Sequence, residues 1–142
     1  MHALRLFQNP GHDNDWISLK LVGVKTNRAA IGARIKITVE NRGQGVRSIY
    51  RTVRSGGSFG ASPLEQHIGL GKSATIRSID IFWPVSATHQ VFSNVGKNQF
   101  LQITELADTY TKIKRKPVRL GGPQGSAAVA PKPAAENPRG RP

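Results

Sequence analysis

An all-β domain, a small compact antiparallel sandwich or barrel with a disordered C-terminal tail, is the fold expected from three features of this 142-residue chain. Apolar and polar residues alternate at period two in several short runs. Stretches rich in Gly, Ser and Asn separate those runs, and no long window carries a helical period. Period-two alternation turns one face of a strand to the core and the other to water.

The strands follow in order. Ile17, Leu19 and Leu21 alternate with Ser18 and Lys20, which predicts a half-buried strand over 16–22. Ala33, Ile35, Ile37 and Val39 repeat the pattern against Arg34, Lys36, Thr38 and Glu40, giving a strand over 33–40. Asn41-Arg42-Gly43-Gln44-Gly45 is turn chemistry and leads into a hairpin partner at 46–54. That partner holds a conflict: if Ile49 and Val53 face inward, Arg47 and Arg51 share their face. A bulge or an edge position would resolve it. Further strands are expected at 65–68, 76–83, 89–93 and 99–104, with Ile79, Ile81 and Trp83 as another alternating set.

Charge and composition divide the chain. Residues 1–106, the expected β domain, carry 13 basic and 6 acidic side chains, whereas 107–142 carry 8 and 2. A basic linker is expected over 107–120, with Lys112-Ile113-Lys114-Arg115-Lys116 at its centre. From Gly121 onward 14 of 22 residues are Gly, Ala or Pro, too few large apolar groups to offset the entropy of ordering, so 121–142 is expected to be disordered. The absence of cysteine excludes disulfides, thiolate metal sites and cysteine nucleophiles. No apolar run is long enough for a membrane helix, and Met1–Pro10 has no secretory-signal pattern.

Three motifs invite a catalytic or ligand role, and each has a plainer explanation. Gly56-Gly57-Ser58-Phe59-Gly60 matches the nucleophile elbow G-x-S-x-G, but Ala61-Ser62-Pro63 follows where that motif needs a helix. Gly69-Leu70-Gly71-Lys72-Ser73 ends like a phosphate loop, yet Gln66 stands where its first glycine belongs. His2, His12, His67 and His89 have no metal-ligand spacing. No enzyme activity, cofactor or metal is expected.

The basic residues carry more. Nine Lys or Arg and a single acid, Glu40, lie between Lys20 and Arg54. Arg34 and Lys36 share the outward face of their strand, and Arg51 or Arg54 is expected beside them, with Tyr50 and Phe59 as the aromatics available for stacking. Such a face attracts polyanions through its field and through counterion release.

A family resemblance accompanies these features. Asn9-Pro10-Gly11-His12, Trp16-Ile17-Ser18-Leu19-Lys20-Leu21-Val22-Gly23 and Thr26-Asn27-Arg28-Ala29-Ala30-Ile31-Gly32-Ala33-Arg34 resemble the ASPIC/UnbV domain. So do Ser55-Gly56-Gly57-Ser58-Phe59, Gln66-His67-Ile68-Gly69-Leu70-Gly71, Ile79-Asp80-Ile81-Phe82-Trp83-Pro84, Asn94-Val95 and Gln99-Phe100. The resemblance runs over about 7–106. It departs at Val85-Ser86-Ala87-Thr88, where a Ser-Gly turn is common, and at the basic Arg54 and Lys72.

The resemblance implies a C-terminal module of longer chains that carry FG-GAP/VCBS repeats, which form a β-propeller, as in cartilage acidic protein and exported bacterial proteins. It implies a secreted or periplasmic setting and a propeller as partner, with this chain a fragment or split product. The function expected is therefore a non-enzymatic interaction or adhesion module. The alternative is a polyanion- or RNA-binding module using the basic face. Asn27, Arg28, Arg34, Lys36, Arg51, Arg54 and Phe59 are the candidate binding residues. The loops 24–32 and 54–63 could also converge into one concave surface for a partner or glycan. Gly32 is expected to open the strand after it, Asn27 to satisfy loop backbone groups, and Gly69 and Gly71 to reverse the chain after the His67 strand.

Overall fold

The computed structural model describes residues 13–41, 43, 45–56 and 59–116. The expectations for Asn9–His12, Gly57, Ser58 and the tail 121–142 lie outside the described residues. Eight strands form the fold: β1 (Asp15–Val22), β2 (Arg34–Asn41), β3 (Gly45–Thr52), β4 (Gln66–Gly71), β5 (Ser73–Trp83), β6 (Thr88–Val95), β7 (Gln99–Thr104) and β8 (Tyr110–Ile113). The first seven lie where the alternation places them.

The strands make two four-stranded sheets, β4-β1-β7-β8 (sheet A) and β3-β2-β5-β6 (sheet B). Their inward side chains form one core. Ile17, Leu19, Ile68, Leu70, Leu101 and Ile103 come from sheet A; Ile35, Ile37, Val39, Ile79, Ile81 and Trp83 come from sheet B. All are at most 1% exposed. Two sheets sharing one apolar layer make a sandwich.

Three features correct the sequence reading. β1 and β7 pair in parallel, Ile17 with Gln99 through Val22 with Thr104, so sheet A is mixed rather than antiparallel. The chain visits sheet B between these strands, which frees β7 to return in the same direction as β1. β8 lies within the stretch expected to be linker and pairs antiparallel with β7, while Tyr110 packs on Phe92. Gly69 lies inside β4 instead of in a turn. It stands opposite Trp16 of β1, with open space where a side chain would project. Gly71, at the strand end, does take a positive φ of 64°.

The conflict on β3 resolves through its edge position. Its pairing with β2 is regular, Ile37 opposite Ile49 and Val39 opposite Arg47. Arg47 leaves the core rim and donates to the Leu70 carbonyl of β4, closing that side of the sandwich. The bulge lies instead on β5, where Arg77 is extra against β2 and pairs with Glu40 at 3.0 Å.

Candidate functional site

The most organised polar centre sits at one end of the sandwich. Leu101 and Ile103 face the core, and Glu105 continues their alternation just past β7, so its carboxylate is delivered inward at 1% exposure. Its Oε2 accepts the backbone N–H groups of Val24, Lys25 and Thr26 at 2.7, 2.8 and 2.8 Å. Its Oε1 accepts the hydroxyls of Thr26 at 2.9 Å and Ser86 at 2.6 Å. Three successive N–H groups turned to one oxygen form a concave anion site, here filled by the chain's own carboxylate. Burial pushes the Glu105 pKa up, but bonds from Ser86, Thr26 and Val24 outweigh it and hold it at about 2, against 4.5 in water. The turn Val85–Thr88, where the sequence departs from the common pattern, is thus the one that supplies Ser86. Gly23 is required nearby, because a Cβ there would lie 2.2 Å from the Asn27 carbonyl oxygen.

The outer face of sheet B gathers cations and aromatics. Lys36 lies between Tyr50 of β3 and Asp80 of β5, and Arg34 between Thr52 and Phe82. The Arg34 guanidinium stands 5.2 Å over the Phe82 ring. His89 of β6 adjoins Phe82 with ring centroids 5.0 Å apart and bonds Asp80 through Nδ1 at 2.9 Å. These groups line a shallow cleft of about 390 Å³.

The outer face of sheet A holds a second cleft of about 390 Å³, lined among others by Lys20, Val22, Arg28, Leu64, Glu65, Gln102, Ile113 and Arg115. Lys20 and Gln102 are register partners on β1 and β7. Arg115 pairs with Glu65 and lies 4.5 Å over the Phe100 ring. The second Glu65 oxygen accepts the hydroxyl of Ser18, which is 1% exposed, at 2.6 Å. Trp16 completes the face, 5.0 Å from His67 and 4.9 Å from Phe100.

The seven candidate residues do not form one site. Arg34 and Lys36 are together as expected, with Tyr50 beside them. Arg51 is not: it stands opposite Ile35, on the other face of β3, and turns around the edge to donate to the Tyr50 carbonyl at 3.0 Å. Arg54 lies beyond β3 in a separate cleft with Ser62, Pro63 and His67. Asn27 spends its amide on its own loop, bonding the N–H and C=O of Ile31 at 2.9 Å each. Arg28 lines the sheet A cleft, and Phe59 is fully exposed on the loop before β4. Loops 24–32 and 54–63 do not share the sheet A cleft: Arg28 and Ala29 of the first line it, together with Leu64 and Glu65, which follow the second. The first loop is tied instead to the residue before the second, where Gly32 N–H bonds the Val53 carbonyl at 2.9 Å.

A family model described as ASPIC and UnbV matches residues 23–109. The chain belongs to this family. Comparison with curated proteins gives no match, and comparison with solved structures gives none. The matched span opens at Gly23 and takes in both halves of the Glu105 centre of this ASPIC/UnbV domain.

Glu105, Phe82 and His89 are the site residues that sequence reasoning missed. For Glu105 a signal existed: a carboxylate continuing the inward series Leu101, Ile103. For Phe82 and His89 the signal was pairing, which local alternation does not carry. His67 packs its ring on Trp16, with centroids 5.0 Å apart. No group of three metal-ligating side chains occurs among the described residues.

Proposed function

We propose that this ASPIC/UnbV domain is a non-enzymatic interaction module whose contact surface is the outer face of sheet B. The observation that carries the reading is the pair of cross-strand rows Tyr50–Lys36–Asp80 and Arg34–Phe82–His89. Tyr and Arg around a partly apolar surface are the residue types enriched at protein contacts. Tyr50 and Val91, at the two ends of the row that runs through Lys36 and Asp80, are 65% and 58% exposed, so the surface offers apolar area for a partner to cover. Structural use of the carboxylates supports a binding role over a catalytic one: Glu105 holds a loop, Glu65 a serine and an arginine, Asp15 a lysine and an asparagine.

The partner in this reading is an FG-GAP/VCBS-repeat propeller, with the domain acting at the end of a longer extracytoplasmic protein. Its support is the family context. The test is titration of the full chain with such a propeller at moderate salt. Complex formation that disappears in Arg34→Glu/Lys36→Glu/Tyr50→Ala supports the reading; a complex indifferent to these changes, or no complex, overturns it.

A second reading is favoured by Arg34 over Phe82 and by Tyr50 beside Lys36. Cations interleaved with rings on an open sheet suit a single-stranded polyanion, which stacks its bases and neutralises its phosphates. Binding to single-stranded RNA and heparin across a salt series separates the two, since polyanion affinity falls steeply with salt.

A further inference from the structure

We infer that the cleft on the outer face of sheet A is a binding site for an acidic pyranose, a sugar unit carrying a carboxylate. The site stands on the opposite side of the sandwich from the sheet B face and does not rest on the function proposed for that face.

Three properties of the lining define the ligand. Lys20, Arg28 and Arg115 face a single acid, Glu65, so the cleft favours an anion. Lys20 and Arg28 are exposed and have no ion-pair partner among the described residues. Arg115 is held in place by Glu65 and Phe100. Val22, Ala29, Leu64 and Ile113 add an apolar lining, which suits the C–H face of a ring. Gln102 and Glu65 supply amide and carboxylate groups that can bond ring hydroxyls. A bare inorganic anion would leave the apolar wall unused, and a neutral sugar would leave the cations unused. A ligand with a negative charge, an apolar face and several hydroxyls uses all three.

The supports are built and not incidental. Glu65 is fixed from below by the buried Ser18 hydroxyl, and the loop bearing Arg28 is anchored by Glu105 and braced by Asn27. The volume, about 390 Å³, falls in the range of small-ligand sites, roughly 300–1,000 Å³.

The experiment is titration of the full chain with trigalacturonate, maltotriose and inorganic phosphate, followed by calorimetry and by backbone amide shifts. Trigalacturonate binding is expected, with shifts at 20–29, 64–65, 102 and 113–115 and none on the outer face of sheet B. Lys20→Glu/Arg28→Glu is expected to weaken it at least tenfold, while the charge-matched Arg51→Glu/Arg77→Glu, which touches neither cleft, leaves it within twofold. Shift mapping on the unaltered chain decides the location even if the double variant fails to fold. The assignment is overturned by no trigalacturonate binding, by equal affinity for maltotriose or phosphate, by shifts on sheet B, or by equal losses in both double variants.

Discussion

Glu105 accepts the backbone N–H of Thr26 at 2.8 Å and the hydroxyl of the same residue at 2.9 Å, across 79 positions of sequence. This double contact joins the end of β7 to the β1–β2 loop, and Ser86 brings the β5–β6 turn to the same carboxylate. One side chain thereby positions the loop that presents Arg28.

Acid should therefore loosen the domain through Glu105. Its folded-state pKa is depressed, so its contribution is complete above about pH 4.5 and is lost as pH falls toward about 2. The size follows from the shift, on the order of 3 kcal/mol. Asp15 adds to the same limb, since its bond to Lys97 at 2.7 Å lowers its pKa. In Glu105→Gln one amide oxygen can still take the N–H groups and the amide can donate to the two hydroxyls. We expect a cost of about 1–2 kcal/mol at neutral pH and a flatter acid limb, read by urea unfolding between pH 7 and 2. An unchanged acid limb would refute the assignment.

Gly23→Ala tests the same loop from its backbone. The added Cβ meets the Thr26 and Asn27 carbonyl oxygens at 2.4 and 2.2 Å, so the loop must move off Glu105. A loss of roughly 1–3 kcal/mol is expected, whereas Gly43→Ala, with open space around it but a positive φ of 75°, should cost about 1 kcal/mol from backbone strain alone. Thermal unfolding of the two variants compares them.

Truncation separates the two domain boundaries. A chain ending at 106 loses β8, the Tyr110 contact to Phe92 at 5.8 Å and Arg115 over Phe100. It should unfold at lower temperature than a chain ending at 116 and show a strand edge at β7 in hydrogen exchange. Equal stability would return β8 to the status of linker.

On sheet B, Arg34→Ala and Lys36→Ala should each weaken polyanion binding and reduce its salt slope by about 0.7–0.9, and Tyr50→Ala should weaken it with the slope kept. Arg51→Ala, on the other face of β3, should do markedly less. Equal effects at Arg51 and Lys36 in filter binding would show that net charge alone attracts the ligand.

The strands were legible because their information is local. In β1 and β2 the alternation of Ile17, Leu19 and Leu21 against Ser18 and Lys20, and of Ile35, Ile37 and Val39 against Arg34 and Lys36, states which residues pair with the core before any partner is known. Turn residues such as Asn27 and Gly32 were readable for the same reason, and Asn27 does serve its own loop. Sheet order, register and the sites were a different kind of information. Arg51 parts from Lys36 because Ile35 is its partner, β1 meets β7 in parallel, and Trp16 finds Gly69, all through pairings between distant segments. Only packing two sheets on one core sets those pairings, and with them the cationic row of sheet B, the cleft of sheet A and the burial of Glu105 against the loop it holds.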